Sequence, residues 1–179
     1  MKDKNPIPIE FKKRLLFFKN MVSEQFSFIQ DFNYILDKVE IGQKENFKDY
    51  FFEFTYANGD TVIKIHFSTD IINGIKMAFP KSEEKELPGV DSQITCFICD
   101  KNAFMSIDSF IETKFPEIST DDFTIKSGSS DLELEIIRVV KNYSNFFKTN
   151  LTAVLEKRTI YDCYTDRFYD KVFKEIRYR

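Results

Sequence analysis

The sequence predicts an α+β fold: an N-terminal helix, an antiparallel meander of four to five strands, and C-terminal helices packed on one face of the sheet. Three observations predict it. Apolar residues recur at three- and four-residue steps near the N-terminus. They alternate with polar residues on both sides of Asn58-Gly59. The longer spacing then returns after Ser130. Helix, strands and helices in that order belong to an α+β domain rather than to alternating β-α units.

The first helix is expected from about Ile9 to about Asp31. Phe11, Leu15, Phe18, Val22, Gln25, Ile29 and Phe32 form its stripe, which only Gln25 interrupts. Pro8 stands before or at the first turn, where no amide donor is missed. A strand follows from Tyr34 to Ile41. Asn58-Gly59 is the preferred loop of a type I′ hairpin, because both residues tolerate positive φ. That loop sets Ala57 against Asp60, Phe54 against Ile63, Phe52 against Ile65 and Tyr50 against Phe67. The other face then opposes Glu53 to Lys64 and Phe51 to His66. Ile75, Met77 and Phe79 alternate as a third strand, reached by a turn over 68–74 that puts Ile75 beside Phe67 and Met77 beside Ile65. Residues 81–92 are charged and broken by Pro88-Gly89, the composition of an exposed loop. Gln93 to Cys99 supplies a fourth strand.

The last third reads as helical. A short helix over 106–111 ends before Pro116, and 117–130 is mostly loop. Ser130-x-x-Glu133 has the form of a capping box. It leads into a helix from Asp131 to about Glu156, with Ile136, Val140, Tyr143, Phe147, Leu151 and Val154 on one stripe. A final helix is expected over about Asp162 to Tyr178, with Phe168, Val172, Phe173 and Ile176 inward. The expected core is Phe18, Val22, Ile29, Phe52, Phe54, Ile63, Ile65, Met77, Ile136, Val140, Phe147 and Leu151.

The 179 residues suffice for one domain, 1–179, with a core that needs no staples. With 16% aromatic residues and 21 Phe, the rings must supply most of that core. No run reaches the about 18 apolar residues of a membrane helix, and no signal-peptide core follows Met1, so a cytoplasmic location is expected. A net charge of −3 argues against a nucleic-acid binder, which needs a basic surface.

Standard catalytic sets are missing from the sequence. There is no glycine-rich phosphate loop and no G-x-S-x-G elbow. His66 is the one histidine, so a His-based metal cage or H-E-x-x-H motif is impossible. Its strand position reads as half-exposed surface. Cys96-x-x-Cys99 has redox or metal spacing, but in a strand those side chains point to opposite faces. Asp121-Asp122 and Asp131, Glu133 and Glu135 could serve a carboxylate hydrolase, although a loop and a helix start explain them too. Asp162, Asp166 and Asp170 would line one helix face among Arg167, Lys171 and Lys174, a solvated, charge-balanced surface. No catalytic residue, metal ligand or cofactor is therefore expected.

Charge is unevenly distributed. Residues 37–130 hold ten basic and seventeen acidic groups, a net of −7, between flanks that are each +2. An acidic surface can dock a basic partner and speed the encounter; solubility alone is the plainer explanation.

The layout resembles a known group. The helix ending Phe28-Ile29-Gln30-Asp31-Phe32-Asn33-Tyr34, the hairpin 50–67, the acidic stretch, Ser106-Ile107-Asp108-Ser109-Phe110-Ile111 and the long helix with Tyr143, Phe147 and Leu151 follow in order. This arrangement resembles small uncharacterised bacterial α+β proteins, some of which look like immunity proteins of polymorphic toxin systems. The resemblance implies a cytosolic, non-enzymatic protein that binds and blocks a basic toxin domain. Glu83, Glu84 and Glu86 are the candidate partner-binding residues, read from charge alone. The alternatives are a small-ligand binder with an aromatic cleft and a carboxylate-based enzyme.

Overall fold

The computed structural model describes residues 9–43, 49–70, 93–100, 103–126, 131–156, 159–162, 167–170 and 175–177. Helix α1 (Ile9–Gln25) precedes five strands, β1 (Ile35–Gln43), β2 (Asp49–Asn58), β3 (Thr61–Asp70), β4 (Gln93–Cys99) and β5 (Phe104–Ser106). Every neighbouring pair is antiparallel and the order is β1-β2-β3-β4-β5, a meander. Helices α2 (Ile107–Lys114), α3 (Leu132–Asn150) and α4 (Thr152–Leu155) follow, then a small antiparallel sheet of β6 (Thr159–Asp162), β7 (Arg167–Asp170) and β8 (Glu175–Arg177). The α+β fold is thus the one the periodicities predict.

The first helix ends earlier than its stripe suggests. Phe26 leaves helical geometry at φ −102° and ψ 11°, and Ser27–Phe32 continues as a tighter 3-10 turn. The Ser27 hydroxyl donates back to the Glu24 carbonyl at 2.9 Å, the local competition with the helix ladder that serine provides. The Gln25 carbonyl accepts from the Ser144 hydroxyl of α3 at 2.7 Å. Asn33, at φ 62°, stops the turn. Phe18, Val22, Phe26 and Ile29 still point inward and are fully buried.

The central hairpin forms, but its register is shifted by two residues. Asn58 pairs with Thr61, so Gly59-Asp60 is the loop. Only Gly59 takes positive φ there, at 60°, the φ pattern of a type II′ turn. Asn58 is instead tied down, its side-chain amide donating to the Phe32 carbonyl at 2.8 Å. A shift of two preserves which face each residue occupies, because side chains alternate with period two. Phe54 therefore opposes Ile65 and Phe52 opposes Phe67 on the same inner face. Phe18 contacts all three of these rings: edge-on at 5.9 Å to Phe52 and 6.0 Å to Phe54, and stacked at 5.1 Å on Phe67.

The place beside β3 belongs to β4, with Ile94 opposite Phe67 and Cys96 opposite Ile65. The expected pairing of Ile75 and Met77 there is incorrect, and residues 75–79 lie outside the described residues. Of the expected core, all but Met77, also outside them, are buried at 3% exposure or less.

Three further corrections concern the C-terminal third. Helix α3 is capped by Asp131, whose Oδ1 accepts from the Leu134 amide at 3.0 Å, one position later than the expected Ser130 box. The backbone turns at Leu151 (φ −113°, ψ 14°), dividing the long helix into α3 and α4. Where the final helix over 162–178 is expected, the described residues 162, 167–170 and 175–177 are instead strands of a small sheet. Its register sets Asp162 against Arg167, Tyr161 against Phe168 and Ile160 against Tyr169. Aromatic and β-branched residues favour strands, and a three-four spacing is one that any short apolar segment can mimic.

Candidate functional site

The central sheet has two unlike faces. Phe52, Phe54, Tyr56, Ile63, Ile65, Phe67, Ile94, Cys96 and Ile98 are buried on the inner one, where α1 packs through Phe18 and α3 through Tyr143. Alternation sends Phe51, Glu53, Lys64, His66, Thr95 and Phe97 outward, and each is only half-buried. Glu53 stands opposite His66 and diagonal to Lys64. Its Oε1 accepts from the Lys64 ammonium at 2.7 Å, and its Oε2 lies 3.5 Å from His66 Nδ1. The His66 ring stacks on Phe51 at 5.4 Å. Lys64 is flanked on its other side by Phe97 of β4, whose ring meets Phe104 of β5 at 5.3 Å. One polar trio between two ring pairs thus occupies the middle of the outer face. The expected Glu53–Lys64 and Phe51–His66 contacts both exist, as diagonal rather than directly opposed pairs.

A second polar cluster lies between sheet and helices. The Tyr143 hydroxyl is 2.5 Å from Asp108 Oδ1 and 3.2 Å from the Ile94 carbonyl, linking α3 to α2 and β4. Burial raises the Asp108 carboxyl above its ordinary range, against the lowering effect of the Tyr143 hydrogen bond. Burial also pushes the Tyr143 hydroxyl and the adjacent Cys96 thiol well above theirs. A phenol and a thiol held protonated are poor nucleophiles, so this cluster acts as a tie between layers.

Of the other candidate acids, the side chains of Asp131 and Glu135 have partners, while Asp121 and Asp122 are held through their backbone carbonyls. Arg138 donates to Glu135 Oε2 at 2.7 Å and to the carbonyls of Asp122 at 2.9 Å and Thr124 at 2.6 Å. Asn142 donates to the Asp122 carbonyl at 2.7 Å, and Glu135 accepts from the Lys126 amide at 3.0 Å. The segment 121–126 is thereby strapped to α3. Asp131 is the helix cap. Asp162 and Asp170 stand in strands rather than along a helix face. Cys96 points inward and Cys99 outward, as strand geometry requires. Among the described residues, no three or more His, Cys, Asp or Glu residues group so as to hold a metal ion. Glu83, Glu84 and Glu86 lie outside the described residues.

No protein-family model, curated protein or solved structure matches the chain. Among the described residues, no helix is long and apolar enough to cross a membrane. The outer sheet face and the Arg138 strap were the features hardest to read from the sequence. The strap has no periodic signal. The outer face was visible only as the polar half of a strand alternation.

Proposed function

We propose that the chain is a non-enzymatic, cytoplasmic protein-binding module that takes a basic protein domain onto the outer face of its central sheet. An immunity protein covering a toxin domain is the closest functional parallel. One observation carries this reading: the ring pairs Phe51–His66 and Phe97–Phe104 remain half-exposed around the Glu53–Lys64–His66 trio. Aromatic anchors flanking charges whose mates are already placed are the usual makings of an interface centre. The net −7 over 37–130 supports a partner of positive charge. The alternative readings have less support, since the core rings pack on one another and the Asp131 and Glu135 carboxylates are engaged in a cap and an ion pair.

The reading is tested by immobilising the chain and a Phe97→Asp variant as baits for an extract of the native host. The expected result is a basic protein retained by the first bait, released by salt, and absent from the second. Equal retention by both baits would remove the outer face from the account. Failure to retain any basic protein on the unaltered chain would remove the function itself.

A further inference from the structure

Strand β1 forms one edge of the central sheet, and among the described residues no strand pairs with its far side. It is also unusually apolar for an edge: Leu36, Val39 and Ile41 are 41%, 39% and 47% exposed, all on the inner-face side of the strand. Long edges of this kind invite another strand unless charge or a bulge blunts them. Here β1 carries a bulge at Asp37, between the pairs Leu36–Tyr56 and Lys38–Thr55, and the charges Lys38 and Glu40, so a pairing strand has to match both.

We propose that β1 pairs antiparallel with β1 of a second copy of this chain, about a two-fold axis through Val39, joining the two sheets into one. In this arrangement the two edges are complementary in charge and in side. A two-fold at Val39 puts Lys38 opposite Glu40 of the second copy, and Glu40 opposite its Lys38. The two residues share the outer side, where they already pair within one chain at 2.7 Å, so the axis assembles an alternating set of four charges. Retaining the two-for-one count that the bulge makes against β2, the next opposed pair is Leu36 with the second copy's Ile41. Val39 meets its own equivalent, and the exposed apolar residues close over one another on the inner side. Moving the axis to Glu40 instead opposes two like charges and leaves Lys38 facing Gly42, which favours the first register.

Sedimentation equilibrium of four chains tests this: unaltered, Lys38→Glu, Glu40→Lys, and the double exchange Lys38→Glu/Glu40→Lys. The expected result is a concentration-dependent species of twice the 21.2 kDa monomer mass. Each single reversal should weaken it roughly tenfold, from two attractive pairs made repulsive, and the double exchange should restore it. A second measurement fixes the register and does not depend on those variants folding. Under mild oxidation, Val39→Cys should cross-link through position 39 to a covalent dimer, identified by peptide mass, while Glu40→Cys should not. A chain monomeric at all concentrations overturns the proposal. So does a dimer indifferent to the charge reversals, or one that cross-links equally from both positions.

Discussion

At the scale of single residues, Phe54 shows what the pattern of apolar residues establishes. It is fully buried, touches the rings of Phe18, Phe52 and Tyr56, and lies opposite Ile65. Phe54→Ala should cost about 3–5 kcal/mol, because surrounding rings cannot collapse into the space. A loss below about 1 kcal/mol in a urea melt would place the residue outside a tight core. Asp108 shows what the pattern does not establish. One phenolic proton on Tyr143 faces two acceptors, and the carboxyl is raised above 3.8 mainly by burial. The folded chain therefore keeps a proton on Asp108 over a range where the unfolded chain has lost it. Stability should fall as pH rises from 3.8 through the raised value. Asp108→Asn, whose amide can donate to Tyr143 while Tyr143 donates to Ile94, should flatten that fall and leave the chain no less stable at neutral pH. Urea melts from pH 4 to 8 would check both slopes; an unchanged slope in the variant would show that another group sets it. Burial of Tyr143 could be read from its place on the helix stripe. Its partner Asp108, 35 residues earlier, could not, because that contact depends on how the layers pack.

Among elements, parity proved more robust than register. The inner and outer faces of β2 and β3 follow from strict alternation, which a two-residue shift leaves intact. The loop itself depended on a tertiary contact, the Asn58 amide on the end of the preceding 3-10 turn, which no local turn preference contains. The C-terminal segment failed for the converse reason: Phe168, Val172, Phe173 and Ile176 fit a helical spacing, while Asp162 against Arg167 is a cross-strand relation visible only once strands are assumed. The Arg138 strap gives a test at this scale. Arg138→Met keeps the aliphatic stem but withdraws the donors from three carbonyls and from Glu135. The expected cost is about 1–2 kcal/mol, since a charged donor is lost and its carbonyl acceptors, being exposed, can turn to water. Amide exchange should quicken at Asp122, Thr124 and Lys126, while the central strands stay protected. Uniform quickening throughout the chain would mean that the strap supports the whole fold instead.

For the whole molecule, the described helices pack on one face of the sheet, and the other carries half-exposed rings and a Glu53–Lys64 ion pair at its centre. The acid excess of the middle segment surrounds that arrangement in sequence, and Glu83, Glu84 and Glu86 contribute three of its charges. Reversing these three to Lys should slow capture of a basic partner at low salt, with the melting temperature nearly unchanged. The difference should fade as screening shortens to about 8 Å near physiological ionic strength. An on-rate unaffected at low salt would reduce the stretch 81–92 to a solubilising role.

The outer face is the claim on which the functional account rests, and affinity measured by titration calorimetry tests it most directly. The captured partner is titrated with the unaltered chain, with Phe97→Ala from the outer face, and with Leu134→Ala, an exposed apolar site on α3. Removing an interface anchor costs about 2 kcal/mol or more, so Phe97→Ala should weaken binding at least about tenfold, while Leu134→Ala should leave it unchanged. Equal affinities for all three chains, or a loss confined to Leu134→Ala, would contradict the account and place the partner elsewhere on the molecule.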